Sequence, residues 1–255
     1  MLLDAAIRAE VLPRLLVAHA GEHLAPPPPK FRAPDPVHPA LPAHEPFEAA
    51  LVAGEAEVAT AMLERAFEGG AEFEDVMFDL ILPVSRRFAL AWDDERLGFA
   101  DMSIAMSALQ LVARRLDPMV ERERPATRGR APRMFLAAAP GDDHDLAVVL
   151  IEQLFRRDGF EVVSLFGADE ETIVRVASEG GFDLLGFSIG RATLIPGLAA
   201  LIARISGRSG GRPVPVMVGG AALAHDPGVC AALAVDALNV DARDAVDVGR
   251  ALLAS

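Results

Sequence analysis

Residues 133–190, RMFLAAAPGDDHDLAVVLIEQLFRRDGFEVVSLFGADEETIVRVASEGGFDLLGFSIG, decide the fold. Short apolar runs at Arg133–Ala139, Glu161–Leu165 and Asp183–Ser188 alternate with amphipathic stretches near 145–158 and 170–179. The alternation continues with a helix near 194–206, a run at Val214–Val218, a short helix near 227–233, a run at Val235–Leu238 and a last helix near 242–253. Runs this short and this apolar are strands buried on both faces, and successive βα units specify a parallel sheet covered by helices. The expected fold class is α/β: a five-stranded parallel, Rossmann-like (flavodoxin-like) sheet over 132–255, preceded by a small four-helix bundle. Such a sheet takes ligands at the carboxyl ends of its strands, near the point where strand order reverses.

Working upstream, the pattern from Pro46 to Pro118 is helical throughout, with helices expected near 46–53, 55–69, 73–93 and 99–116. Gly54 and the pair Gly69–Gly70 break it, and Pro83 demands a kink or break near Ile81–Leu82. Short connections make neighbouring helices antiparallel, which describes the bundle, 46–118. Before it, 25–45 is a proline-dense linker within APPPPKFRAPDPVHPALPAHEP, extended and semi-rigid. In 1–24, Leu3, Ile7, Val11, Leu12, Leu15 and Leu16 recur at helical spacing, an amphipathic helix whose partner is either the bundle or another chain. A second linker occupies 119–131.

Composition narrows the function. The 255 residues suffice for two cores, and a net charge of −13 argues against a nucleic-acid surface, so direct DNA binding is not expected. The arginines between Arg114 and Arg133 are interleaved with Asp117, Glu121 and Glu123, as in a solvated linker. The single cysteine, Cys230, leaves no disulfide framework and reads as packing. Asp4, Arg8, Glu10 and Arg14 interrupt any signal-like core, and there is no uncharged run long enough for a bilayer. A cytoplasmic protein without membrane contact is expected. His19, His23, His38, His44 and His225 are scattered, and neither a hydrolytic constellation nor a phosphate-loop or dinucleotide fingerprint is present, so no enzymatic turnover is expected.

The residues that carry chemistry sit where strands end. The loop after the first run reads PGDDHDLA, Pro140–Ala147, placing His144 to meet a ligand on top of the sheet. Asp142, two residues earlier, suits the other imidazole nitrogen, the arrangement that fixes tautomer and basicity in a metal-bound histidine. Alone, such a loop is more often a solvated turn. Ser188-Ile189-Gly190 closes the third run and Gly219-Gly220 the fourth, where glycines leave room for close approach to backbone.

Together, Asp142-Asp143-His144, Ser188-Ile189-Gly190 and Gly219-Gly220 resemble the signature DxHxxG…SxL…GG of the cobalamin-binding domain of methionine synthase, the mutases and corrinoid proteins. Ala147 stands where that pattern has its last glycine of the first motif, and Gly190 where it has leucine. The resemblance implies that His144 ligates cobalt from below. The displaced dimethylbenzimidazole base then lies beside Ser188, with Gly219 and Gly220 clearing its path.

The stretch ILPVSRRFALAWDDERLGFADMSIAMSALQLVARRL resembles the bundle that caps cobalamin in light-sensing regulators of the CarH and LitR type. There a tryptophan covers the upper corrin face and a Glu-His pair follows it. At those offsets from Trp92 this chain has Asp101 and Met102, with Phe99 between. Met102 is read as a gap filler or a weak upper ligand. The start AAIRAEVLPRLLVAHA resembles AerR/PpaA-type antirepressors, which implies a sensor acting on a transcriptional repressor protein, with a homodimer left open. The cofactor implied is cobalamin, as adenosylcobalamin or hydroxocobalamin, with heme the alternative found among relatives. Competing readings are a corrinoid methyl carrier for a methyltransferase and a flavodoxin-like interaction domain without a tetrapyrrole.

Overall fold

The structure is a computed structural model. It describes residues 37–116, 129–142, 145–208, 214–225, 233, 235–239 and 241–254. The helix expected within 1–24, most of the proline-rich linker, Asp143, His144 and the short helix expected near 227–233 lie outside the described residues. The chain divides into two compact units, one formed by 31–132 and 145–162, the other chiefly by 133–144 and 163–255.

The helical unit contains α1 (His44–Val52), α2 (Ala56–Glu68), α3 (Phe73–Val76), α4 (Leu82–Asp93), α5 (Phe99–Arg114) and α6 (Asp145–Arg157). Its core is built from Phe47, Leu51, Leu63, Phe73, Met77, Leu80, Ile81 and Leu109, all fully buried. The break expected at Pro83 takes a specific form. Proline offers no N–H to the carbonyl four residues back, that of Asp79. Between α3 and α4 the helix widens into a π turn over Met77–Ile81, with the Leu82 N–H donating to the Met77 carbonyl. His44 Nε2 lies 3.0 Å from the Asp79 carbonyl oxygen. A histidine that looked incidental in the sequence therefore satisfies a backbone acceptor left by the proline, and α1 begins at His44 rather than Pro46.

Helix α6, read from the sequence as part of the sheet domain, clusters with the bundle. The buried Gln153 donates from Nε2 to the Ala113 carbonyl at 2.7 Å. Arg157 pairs with Glu74 and stacks 5.5 Å over the Phe73 ring. Phe155 and Phe160 meet edge to face at 4.9 Å, an arrangement that adds about 0.5–1.5 kcal/mol beyond burial alone.

The sheet comprises β1 (Arg133–Ala138), β2 (Glu161–Leu165), β3 (Leu184–Ser188), β4 (Val216–Gly219) and β5 (Ala237–Asn239), in the order β2-β1-β3-β4-β5. The pairs β1–β3, β3–β4 and β4–β5 are parallel. Helices α7 (Glu170–Glu179), α8 (Ile195–Arg208, entered through a 3-10 turn at Ala192–Leu194), α9 (Ala221–His225) and α10 (Ala245–Ala254) complete the unit. Helix α9, immediately after β4, was not expected from the sequence; five residues are too few to show a period. Asp169 caps α7 by accepting from the Thr172 N–H at 2.7 Å, which holds its carboxyl below the usual aspartate range. The cap's stabilisation is therefore complete above that range and is lost as pH falls through the lowered value.

Two aspartates set the register at the amino edge. Asp183 accepts the Arg133 N–H on Oδ2 at 2.8 Å while its own N–H donates to the Arg133 carbonyl at 2.8 Å. Asp236 repeats the device on β4, taking the Val216 N–H at 2.8 Å and donating to the Val216 carbonyl at 2.9 Å. Replacing Asp183 with alanine leaves a part-buried strand N–H without its acceptor, which costs about 1–3 kcal/mol. Urea denaturation is expected to show that loss for Asp183→Ala and a smaller one for Asp183→Asn, which keeps a carbonyl acceptor.

Candidate functional site

Strand order places the switch point between β1 and β3, so the loops following these strands flank the crevice in which such sheets bind ligands. Four contacts tie the two loops together. The Ala139 N–H donates to the Ser188 carbonyl at 2.8 Å, and the Asp142 N–H turns back to the Ala139 carbonyl at 2.9 Å. Asp142 Oδ2 accepts from the Gly190 N–H at 2.5 Å. Arg191 donates from its guanidinium to the Gly141 carbonyl. The turn needs Gly141, whose φ is +78°. Two of these contacts involve a charged partner and are correspondingly stiff. The structure thus brings together Asp142 and Gly190, two residues singled out from separate motifs. It also gives the Asp142 carboxylate a backbone partner on the loop beyond β3.

Side chains alternate across a sheet. Phe135, Ala137, Ala139, Leu185, Phe187, Ile189, Val216 and Val218 form one apolar face with Ile173 and Val174 of α7 and Leu198 and Ile202 of α8. The remaining strand residues point to the other face. There the last row is small and polar: Ala138 is in register with Ser188, Ser188 with Gly219, and Gly219 with Asn239. The row beneath it is Leu136, Gly186, Met217 and Ala237. Ser188 and Asn239 are each only 8% exposed. Gly219 stands between them and carries no side chain, so the row has a polar residue on either side of a bare backbone position.

The paired glycines have different roles. At Gly219, the nearest atom a Cβ would meet is the Asn239 carbonyl oxygen at 3.1 Å. At Gly220 the backbone has φ +125°, and a Cβ would lie 2.8 Å from the Ile189 nitrogen and closer still to its carbonyl oxygen. The resemblance implies ligand clearance for both glycines. Gly220 also lets β4 end tight against the end of β3, where the Ile189 N–H donates to the Gly219 carbonyl and the Ala222 N–H to that of Ile189.

In the helical unit, Trp92 near the end of α4 and Phe99 at the start of α5 meet edge to face, with ring centroids 6.4 Å apart. They are 44% and 77% exposed, and Met102, one turn on, is half-buried. Among the described residues no three His, Cys, Asp or Glu side chains gather as a metal cage.

Sequence reasoning missed Asn239 and Arg191. The expected strand Val235–Leu238 stopped one residue short of Asn239. A polar residue closing an apolar run at a carboxyl edge was the available signal. For Arg191 the signal was a charge immediately after a motif glycine. Toward a corrinoid with a nucleotide tail the residues fit in their chemistry: Gly219 carries no side chain and stands between Ser188 and Asn239, two largely buried polar residues that would flank a flat base. Gly220→Ala is expected to destabilise the protein by about 1–3 kcal/mol from backbone strain alone, whereas Gly219→Ala, without a positive φ but with its Cβ 3.1 Å from the Asn239 carbonyl oxygen, is expected to lower the melting temperature less. Thermal melts of the two variants side by side check the distinction.

The family model for the B12 binding domain matches residues 132–247. An uncharacterized 20.5 kDa protein in the bchF-crtJ intergenic region of Rhodobacter capsulatus is 28% identical over 148 residues, which span 58% of this chain and 76% of that protein. Among solved structures, the Methanosarcina barkeri monomethylamine corrinoid protein superposes with a TM-score of 0.69 at 20% identity, over 82% of this chain and 97% of that one. That likeness is one of fold. The C-terminal α/β region, with Asp142, Ser188, Gly190, Gly219 and Gly220 all inside the matched span, is therefore similar to the B12 binding domain across almost its whole length.

Proposed function

We propose that the protein binds cobalamin at the carboxyl edge of its sheet and works as a regulatory sensor, modulating a transcriptional repressor through protein contact without a reaction of its own. The observation that carries the cobalamin reading is the row Ser188–Gly219–Asn239 beside the Asp142–Gly190 tie, at the switch point and inside the span similar to the B12 binding domain. In this reading His144 would hold the cobalt, with Asp142 as the acceptor for its other ring nitrogen and Asp143 a further cofactor-binding residue. The Asp142 carboxylate accepts from the Gly190 N–H. Ser188 and Gly219 receive the tail base. Cobalamin, once bound, would supply a cobalt centre whose exchangeable ligand could be replaced or released by light.

The regulatory half rests on the sequence resemblance to AerR/PpaA-type and CarH/LitR-type proteins, on the acidic composition and on the exposed Trp92–Phe99 pair, with Met102 beside it. We assign that aromatic pair to covering the ligand's upper face. A second reading, a corrinoid methyl carrier, draws on the fold shared with a protein named as a monomethylamine corrinoid protein. Heme in place of cobalamin is the third.

Absorption spectra of the protein mixed with hydroxocobalamin and adenosylcobalamin in dim light decide among these. The account expects bound corrin, a spectrum altered by His144→Ala, and a light-dependent change in the adenosyl form. Asp142→Ala is expected to weaken binding about 10–100-fold, as loss of a group supporting a metal ligand does. Trp92→Ala is expected to change the light response while binding persists. Light-insensitive binding together with methyl transfer would establish the carrier; binding of heme and neither cobalamin would establish the heme reading.

A further inference from the structure

Trp92 lies near the end of α4, and the direction it faces is decided at the other end of that helix. An α turn closes on the fourth residue and a π turn on the fifth, so the turn at Met77–Ile81 takes up one residue more than an α-helix would. Each helical residue advances about 100° around the axis. Everything after the turn is therefore rotated by about 100° from where an uninterrupted helix through Phe73–Val76 would place it. The cause is Pro83, which has no N–H for the Asp79 carbonyl and whose ring would press on it in an α turn. The compensation comes from α1. His44 Nε2 lies 3.0 Å from that carbonyl oxygen, part-buried and 35 residues away in sequence. A carbonyl only accepts, so Nε2 carries the proton. One turn further along α1, Glu48 pairs with Arg87 of α4, with one bond at 3.2 Å. Arg87 is half exposed there, where an ion pair contributes little. The buried Val84 and Phe88 pack in the phase that the turn sets.

We propose that His44 is a positioning residue for Trp92. Its hydrogen bond to the Asp79 carbonyl holds the π turn, and the turn fixes the face of the helical unit on which Trp92 meets Phe99. Without that bond the turn loses its partner on α1, α4 shifts about its axis, and the edge-to-face pair separates. The functional meaning of the placement rests on the reading of this pair as the cover of the ligand's upper face.

Trp92 is the only tryptophan in a chain without tyrosine, so its fluorescence reports on this one side chain. The test is the emission and acrylamide quenching of the unliganded full chain for wild type, His44→Ala and His44→Gln, whose carboxamide keeps a donor. His44→Ala is expected to shift the emission and raise the quenching, and His44→Gln to return both toward wild type. In a Pro83→Ala background residue 83 has an N–H to offer the Asp79 carbonyl, and removing His44 there is expected to change the fluorescence far less. Should His44→Ala alone fail to fold, Pro83→Ala is expected to restore folding. Wild-type fluorescence in His44→Ala with only a lower melting temperature overturns the positioning role, as does an equal effect in both backgrounds. With adenosylcobalamin added, His44→Ala is expected to change the light response as Trp92→Ala does. Altered fluorescence with an unaltered light response overturns the cover reading and leaves the positioning role standing.

Discussion

The alignment of the strands at their amino edge determines what their carboxyl edge can hold. Asp183 and Asp236 each exchange hydrogen bonds with the first residue of a neighbouring strand. Counting along the strands from those two pins puts Ala138 beside Ser188 and Gly219 beside Asn239. The β3–β4 pairing, Leu185 with Val216, joins the two halves so that Ser188 meets Gly219. A slip of one residue would send every side chain to the opposite face. Ile189 or Phe187 would then stand where Ser188 does, and the polar row would be an apolar one. The site is thus a consequence of register, and register here is held by two side-chain carboxylates as well as by the backbone ladder.

The same economy of means governs the loops above the row. Gly220 owes its identity to the Ile189 peptide against which it packs, and Gly141 to a left-handed turn. The tie from Asp142 to Gly190 and the contact from Arg191 to Gly141 hold the two loops flanking the switch point as one piece. Ties of this kind leave the residues they join with less entropy to lose on binding, the general advantage of preorganisation. In the helical unit the corresponding device is the pairing of Pro83 with His44: the proline opens the helix at Asp79 and the histidine answers the carbonyl it leaves.

Much of this was legible in the sequence because buried parallel strands advertise themselves. Glu161–Leu165 and the helix 170–179 were expected at the residues where they occur, and the other described strands and helices, α9 excepted, within a few residues of theirs. Helix-breaking residues marked the bundle equally well. What stayed hidden depends on contacts across long separations. The partnership of His44 with Asp79, the clustering of α6 with the bundle through Gln153, and the place of Asn239 beside Gly219 leave no local pattern. Gly220 was visible as a glycine, but its reason, the backbone of Ile189, could appear only once β3 and β4 lay side by side.

The central claim, that the carboxyl edge of this sheet binds cobalamin, is tested most directly by an amide correlation spectrum of protein carrying isotope-labelled glycine, recorded with and without hydroxocobalamin. The account predicts that the amides of Gly190, Gly219 and Gly220 shift or broaden while those of Gly180 and Gly181, at the opposite edge beside Arg133, stay in place. Unchanged carboxyl-edge glycines in the presence of saturating ligand, or changes confined to Gly180 and Gly181, would contradict it.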